Sequence, residues 1–221
     1  MKRKSSKFLS LLLAAVLLLS LIAPAALAAG TADTIYLRTA EDLAGFSRNC
    51  TLDSWSQGKT VYLEADIDLT GVDFAPIPTF GGTFEGQGHT ISGLSITGSA
   101  SSNTGLFGYV DSATIENVTV QGSINLTGSG SSSYGAGGIA GQLYGKAGAI
   151  RNCRSDVTVH GGQNVGGIVG YVAGGYSSAA KEITGCVNTG AVSSSSHNAG
   201  GIVGYIYGQV TVDSCYNRGS C

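Results

Sequence analysis

One short pattern, glycine then leucine or isoleucine then any residue then glycine, limits this chain to a repeat architecture. Gly105-Leu106-Phe107-Gly108 returns as Gly138-Ile139-Ala140-Gly141, as Gly167-Ile168-Val169-Gly170 and as Gly201-Ile202-Val203-Gly204, at spacings of 33, 29 and 34 residues. A second element follows each copy: Ile115-Glu116-Asn117-Val118, Ile150-Arg151-Asn152-Cys153, Ile183-Thr184-Gly185-Cys186 and Val212-Asp213-Ser214-Cys215. A third apolar run closes three of the units, at Val120–Ile124, Val157–Val159 and Val187–Val192. Three short strands per repeat, joined by turns of variable length, are what one coil of a solenoid needs. A β-propeller repeats at about 40–45 residues and a leucine-rich array needs a denser leucine framework, so both fit less well. The fold expected is all-β, a parallel β-helix (solenoid) of about 30-residue coils stacked at strand spacing. Length variation is placed in Ser129–Ser133 and Ser193–Ser196, read as loops in which insertion costs little.

The repeats resemble the GLUG motif of secreted and surface-exposed bacterial proteins. The run from Phe80 to Ile91, continuing to Ile96, resembles the segment that often precedes such motifs, and together these cover roughly residues 60–221. The resemblance implies a secreted or wall-associated β-helix, of the kind found in adhesin-like proteins and beside the catalytic domain of bacterial immunoglobulin A-specific metallopeptidases. It supplies no catalytic residues.

Upstream, Thr39-Ala40-Glu41-Asp42 resembles a capping box with Asp in place of Glu or Gln, and Leu43 and Phe46 follow on one face of a short helix. Residues 29–60 are therefore expected to form an N-terminal cap with a short capping helix, covering the edge of the first coil. Residues 61–221 are expected to form the β-helix. Val61–Leu69 alternates apolar and acidic residues and reads as one half-buried strand.

The first 28 residues are a separate matter. Lys2, Arg3, Lys4 and Lys7 precede an apolar run from Phe8 to Ile22, Pro24 interrupts it, and Ala26-Leu27-Ala28 offers small residues for a signal peptidase. The run is short for a bilayer span. Residues 1–28 read as a signal peptide, so the protein is expected to be secreted or at the cell surface, meeting the membrane only transiently. Four of the 12 basic residues and none of the 14 acidic ones lie in this segment, which leaves a net charge of −6 after cleavage. That balance speaks against nucleic acid as a partner. The fourth unit ends at Cys221 just past its second strand, so the solenoid is expected to be C-terminally incomplete and the chain the N-terminal piece of a longer protein. End-to-end pairing of two copies is the alternative.

Enzyme signatures are weak. Gly58-Lys59-Thr60 ends like a P-loop but Asp53 stands where its first glycine belongs; Gly86-Gln87-Gly88 opens like a dinucleotide loop but Ile91 takes the place of the third. His89, His160 and His197 are scattered, and neither a His-Glu-x-x-His nor a Gly-x-Ser-x-Gly pattern occurs. No cofactor is implied.

Three groups of residues merit attention. Cys153, Cys186 and Cys215 fall where the first unit has Val118, so they read as a stacked ladder of core fillers. In-register Cβ atoms about 4.8 Å apart exceed the usual disulfide separation, which predicts free thiols, with metal ligation as the sharper alternative. Glu64, Asp66 and Asp68 share one face of the Val61–Leu69 run and are a candidate calcium site or catalytic cluster, against the plainer reading of a solvated face. Two-residue alternation sends Tyr109, Gln142, Tyr171 and Tyr205 outward, followed by Asp111, Tyr144, Ala173 and Tyr207, an aromatic stripe suited to stacking on sugar rings, against the plainer reading of a ladder that stacks on itself and binds nothing. The leading expectation is a non-enzymatic binding or adhesion scaffold for glycans or host proteins. An accessory region of a larger secreted peptidase or polysaccharide-degrading enzyme comes second, and a polysaccharide lyase or hydrolase third.

Overall fold

The computed structural model describes residues 34–174 and 181–221, and the expected signal peptide lies outside them. From Thr34 to Cys221 the chain forms one compact unit. It is a parallel β-solenoid of about four turns, with three sheets as its sides. Sheet A carries β1 (Thr34–Leu37), β2 (Thr60–Leu63), β5 (Thr83–Glu85), β8 (Thr114–Glu116), β12 (Ala149–Arg151), β15 (Lys181–Thr184) and β19 (Val210–Asp213). Sheet B carries β3 (Ile67–Asp68), β6 (Thr90–Ser99), β9 (Thr119–Thr127), β13 (Arg154–Gly166), β16 (Val187–Asn188) and β20 (Tyr216–Asn217), with β10 (Ala136–Gly137) and β17 (Val192–Gly200) also paired to β13. Sheet C carries β4 (Ile77–Phe80), β7 (Phe107–Asp111), β11 (Ala140–Tyr144), β14 (Val169–Ala173) and β18 (Val203–Tyr207). These strands pair in parallel, and each coil runs from sheet C through A to B.

Three sequence expectations change. Val61–Leu69 is two strands, β2 in sheet A and β3 in sheet B, with a corner at residues 64–66. Its alternation of burial survives because the corner keeps Val61, Leu63, Ile67 and Leu69 on the inside of the coil. Ser193–Ser196 is strand rather than loop, since β13 and β17 continue pairing through His160↔Ser193 and Gly161↔Ser194. The fourth unit reaches its third side: Tyr216 and Asn217 pair with Val187 and Asn188 in sheet B. The Ser129–Ser133 segment remains irregular.

The capping helix forms as its sequence requires. Helix α1 (Ala40–Asn49) has Thr39 at its N-cap, whose Oγ1 accepts from Asp42 N at 3.1 Å while Asp42 Oδ2 accepts from Thr39 N at 3.1 Å. Leu43 and Phe46 are buried, and the Phe46 ring meets Phe80 edge-on at 6.0 Å. From Phe80 the aromatic contact runs to Phe84 and Phe107, three fully buried rings in the first coils. Above them the core becomes aliphatic, with Ile115, Ile150 and Ile183 in register on the inside of sheet A. Each such side chain contributes about 1.5–3 kcal/mol through burial.

The repeat glycines mark places where the coil has no room for a side chain. A Cβ on Gly167 would overlap Gly201 O and the Asn188 carboxamide, one on Gly201 the Asn217 carboxamide, and one on Gly138 the Ser155 hydroxyl. These polar residues are in register along the interior of sheet B. Asn188 is fully buried and saturated: Nδ2 donates to Gly190 O at 2.9 Å and Asn217 Oδ1 at 2.8 Å, and Oδ1 accepts from Gly190 N at 3.2 Å. The second repeat glycine meets backbone at the corner between sheets B and C. A Cβ on Gly170 would overlap Ala136 N, with Gly135 C at 2.6 Å and Asn164 O at 2.7 Å, because the end of each sheet-B strand folds directly against the start of the next sheet-C strand.

Gly167→Ala is therefore expected to destabilise the protein by about 2–4 kcal/mol, since backbone and a saturated Asn188 must both give way. Gly98→Ala, whose Cβ meets nothing within 4 Å, is the control and should change stability by less than about 0.5 kcal/mol. Urea unfolding of the two variants checks the contrast.

On sheet A an inward position carries a charged residue. Lys181 lies on the same face of β15 as Ile183 and is fully buried, with Nζ unpaired among the described residues. Burial lowers its pKa, partly opposed by the Asp111 charge. An uncompensated buried ammonium costs more than an apolar isostere, so Lys181→Met should stabilise by about 1–3 kcal/mol at pH 7. Because the folded state releases its proton at lower pH than the unfolded chain, wild-type stability should rise with pH between the two values. The advantage of the Met variant should shrink as that window is crossed, measurable by denaturation at pH 7 and above.

Candidate functional site

The tyrosine positions lie on sheet C. Tyr109, Gln142, Tyr171 and Tyr205 are in register on neighbouring strands, as are Asp111 and Tyr144 and, further up, Ala173 and Tyr207. They form two clusters instead of one stripe. Tyr109 and Tyr144 pair diagonally with ring centroids 5.4 Å apart, and Tyr171 and Tyr205 pair in register at 5.6 Å. Between them Gln142 is only 7% exposed, and its Oε1 accepts from Asn103 Nδ2 at 2.6 Å. Tyr144, Tyr205 and Tyr207 are exposed by 42%, 42% and 49%, whereas Tyr109 and Tyr171 are half-buried. Burial and the neighbouring Tyr205 and Tyr207 hydroxyls raise the Tyr171 pKa, so it stays a neutral phenol at any physiological pH.

Tyr109 also borders a recess on this side, a cleft of about 460 Å³. One wall is sheet C, with Pro76, Pro78 and Gly108; the other is the inner side of the projecting ends of β6 and β9, with Ile96 and Leu126. Tyr134, 39% exposed, stands at its rim. Asn103 holds the two walls in relation, donating to Gln142 and accepting from Gly135 N at 2.9 Å. Two coils on, at the equivalent position, Asn164 donates to Ser132 O and Tyr134 O at 3.0 and 2.9 Å and accepts from Asn198 Nδ2 at 2.9 Å. Asn164 and Asn198 have positive φ, which asparagine tolerates better than other residues carrying a Cβ. The sequence reading missed Tyr134, Asn103 and Asn164. A recurring Asn-x-Gly before the repeat (Asn103-Thr104-Gly105, Asn164-Val165-Gly166, Asn198-Ala199-Gly200) was the available signal.

The acidic trio is not brought together. Glu64 Oε2 accepts from Arg38 Nε at 2.6 Å, Asp66 Oδ1 accepts from Thr90 N at 2.9 Å and lies 3.1 Å from His89 Nδ1, and Asp68 Oδ1 accepts from Thr70 N at 2.9 Å. Hydrogen bonds from Thr90 and Thr70 lower the Asp66 and Asp68 pKa values. The shared face dissolved because the chain turns between β2 and β3, and each carboxylate now serves its own turn. Among the described residues no group of three His, Cys, Asp or Glu side chains is placed to hold a metal ion.

Cys153 and Cys186 are buried above Val118 in the corner after sheet A, and Cys215 is half-buried in the last coil. Their thiols donate to backbone carbonyls, Cys186 to Thr184 O at 3.4 Å and Cys215 to Ile183 O at 3.3 Å. All five cysteines are free. Burial pushes the Cys153 thiol well up and the Cys50 thiol to about 12. Native alkylation at pH 8 should therefore label exposed Cys221 rapidly, Cys215 slowly, and Cys50, Cys153 and Cys186 only after denaturation. Mass spectrometry that finds rapid native labelling of Cys153 or Cys186 would remove the ladder from the core.

Comparison with known proteins bears on the repeat and the fold. The GLUG motif is matched at residues 132–159, which span β10 to the first half of β13, one whole coil. Halomucin from Haloquadratum walsbyi is 35% identical over 153 residues, covering 62% of this chain but 2% of that protein's length. The crystal structure of a candidate immunoglobulin A1 protease from Bacteroides ovatus superposes with a TM-score of 0.61 at 20% identity, over 83% of this chain and 66% of that one, a likeness of fold. The chain carries the GLUG motif and is built as a parallel β-solenoid.

Proposed function

We propose that this protein is a secreted or cell-surface binding scaffold that recognises glycans, or proteins carrying them, through the outer side of sheet C. The observation that carries this reading is the pair of tyrosine clusters, Tyr109–Tyr144 and Tyr171–Tyr205 with Tyr207 beside it. Rings fixed on a rigid parallel sheet lose little conformational entropy on binding and offer both an apolar face and a hydroxyl. The signal-like N-terminus supports the location. A second reading, a non-catalytic accessory region of a larger secreted enzyme, draws on the fold shared with the Bacteroides protein and on the small fraction of Halomucin that this chain matches.

The test is a glycan array followed by titration calorimetry on the strongest ligand. Tyr205→Ala and the Tyr171→Ala/Tyr205→Ala pair should weaken binding by tenfold or more while circular dichroism and melting temperature stay near wild type. Unchanged affinity in both variants would exclude the tyrosine clusters as the binding surface.

A further inference from the structure

The cleft between sheet C and the projecting strands points to a specific ligand class. Resting on the reading that the sheet-C side binds glycans, we infer that this cleft takes one or two rings of a neutral saccharide. None of its lining residues carries a charge: they are Pro, Ile, Leu, Gly, Ser, Thr, Asn and Tyr. A uronate or sialic acid carboxylate entering it would lose hydration without gaining an ionic partner, an expensive transfer. A neutral ring faces no such penalty. At about 460 Å³ the cleft lies toward the small end of ligand sites, the size of one or two sugar rings and too small for a long chain segment.

Its chemistry is divided as a sugar ring is. Ile96, Leu126 and the prolines make an apolar wall for the C–H face, and Tyr109 and Tyr134 offer rings for stacking. Hydroxyl partners are supplied by Ser102 and the Asn103 amide, which its bonds to Gln142 and Gly135 already hold in one orientation. Gly108 leaves the floor open: a Cβ there would sit 3.0 Å from Asn103 O and 3.1 Å from Pro78 O.

Gly98 provides the test. It lines the cleft, shares the inner face of β6 with Ile96, lies in register with Leu126, and would place a Cβ in open space. Gly98→Leu should fill the cleft while leaving the melting temperature nearly unchanged. The probes are neutral disaccharides (maltose, cellobiose, lactose, chitobiose), digalacturonate, sialyllactose and a proline-rich decapeptide, read by saturation-transfer NMR and calorimetry up to 20 mM. Expected are binding of at least one neutral disaccharide, no binding of either acidic sugar, at least a tenfold loss in Gly98→Leu and in Tyr134→Ala, and no change in Tyr216→Ala, an exposed position on sheet B outside the cleft. Equal or tighter binding of the acidic sugars, binding of the peptide alone, no binding of any probe, or full affinity in Gly98→Leu would each overturn the inference. If Tyr205→Ala weakens glycan binding while Gly98→Leu does not, the tyrosine clusters stand and the cleft falls.

Discussion

At the corner between sheets B and C, the backbone of one strand rests on the backbone of the next with no side chain between them. Gly135 and Ala136 lie against Gly170, and Asn164 and Val165 against Gly204, at distances that a single Cβ would violate. Protein interiors are packed too densely to absorb such an intrusion. This contact determines the rest of the coil. It brings sheet C close enough to sheet B that the inward residues of sheet B, Asn188 and Asn217, need the first repeat glycine as their neighbour. The two glycines of the repeat thus answer two different pressures, one from backbone and one from a buried carboxamide.

Parallel in-register stacking imposes a second condition, that each residue meets its own counterpart above and below. For uncharged residues this helps: Asn188 bonds Asn217, Asn198 bonds Asn164, and Tyr171 faces Tyr205. For charges it hurts. Glu85 and Glu116 are directly opposed on sheet A, and the structure answers with Asn117, whose Nδ2 donates to both Glu85 oxygens at 2.9 and 3.1 Å. Arg151, next in the same column, turns to Glu182 at 2.6 Å instead. A chain with 12% charged residues and 35 glycines suits these rules: few like charges to oppose, and many places where backbones touch.

Much of this was legible from the residues. The four glycine repeats and the three short apolar runs per unit set coil length, strand count and the identity of the core columns, because stacking makes equivalent positions share one environment. The capping box at Thr39 was legible because it depends only on residues within one turn. What failed was everything set by where the chain bends. Alternation over Val61–Leu69 cannot distinguish one straight strand from two joined by a corner, since both keep the same residues inside, yet the corner separates Glu64, Asp66 and Asp68. Alternation alone also places Gln142 on the exposed stripe, whereas Asn103 from the preceding coil draws it into burial.

The features suited to recognition arise where the repeat is broken. A regular solenoid offers flat sides, and flat sides alone give no concave site. Here β6 and β9 run past the corner into projecting ends, residues 128–135 add an irregular segment bearing Tyr134, and the first coils carry Pro76 and Pro78 on sheet C. Each is a departure from the coil above it, and together they wall the recess beside Tyr109. The repeat supplies rigidity and the departures supply shape. The proposed specificity is therefore written in the residues that do not repeat, and those lining this cleft are neutral throughout.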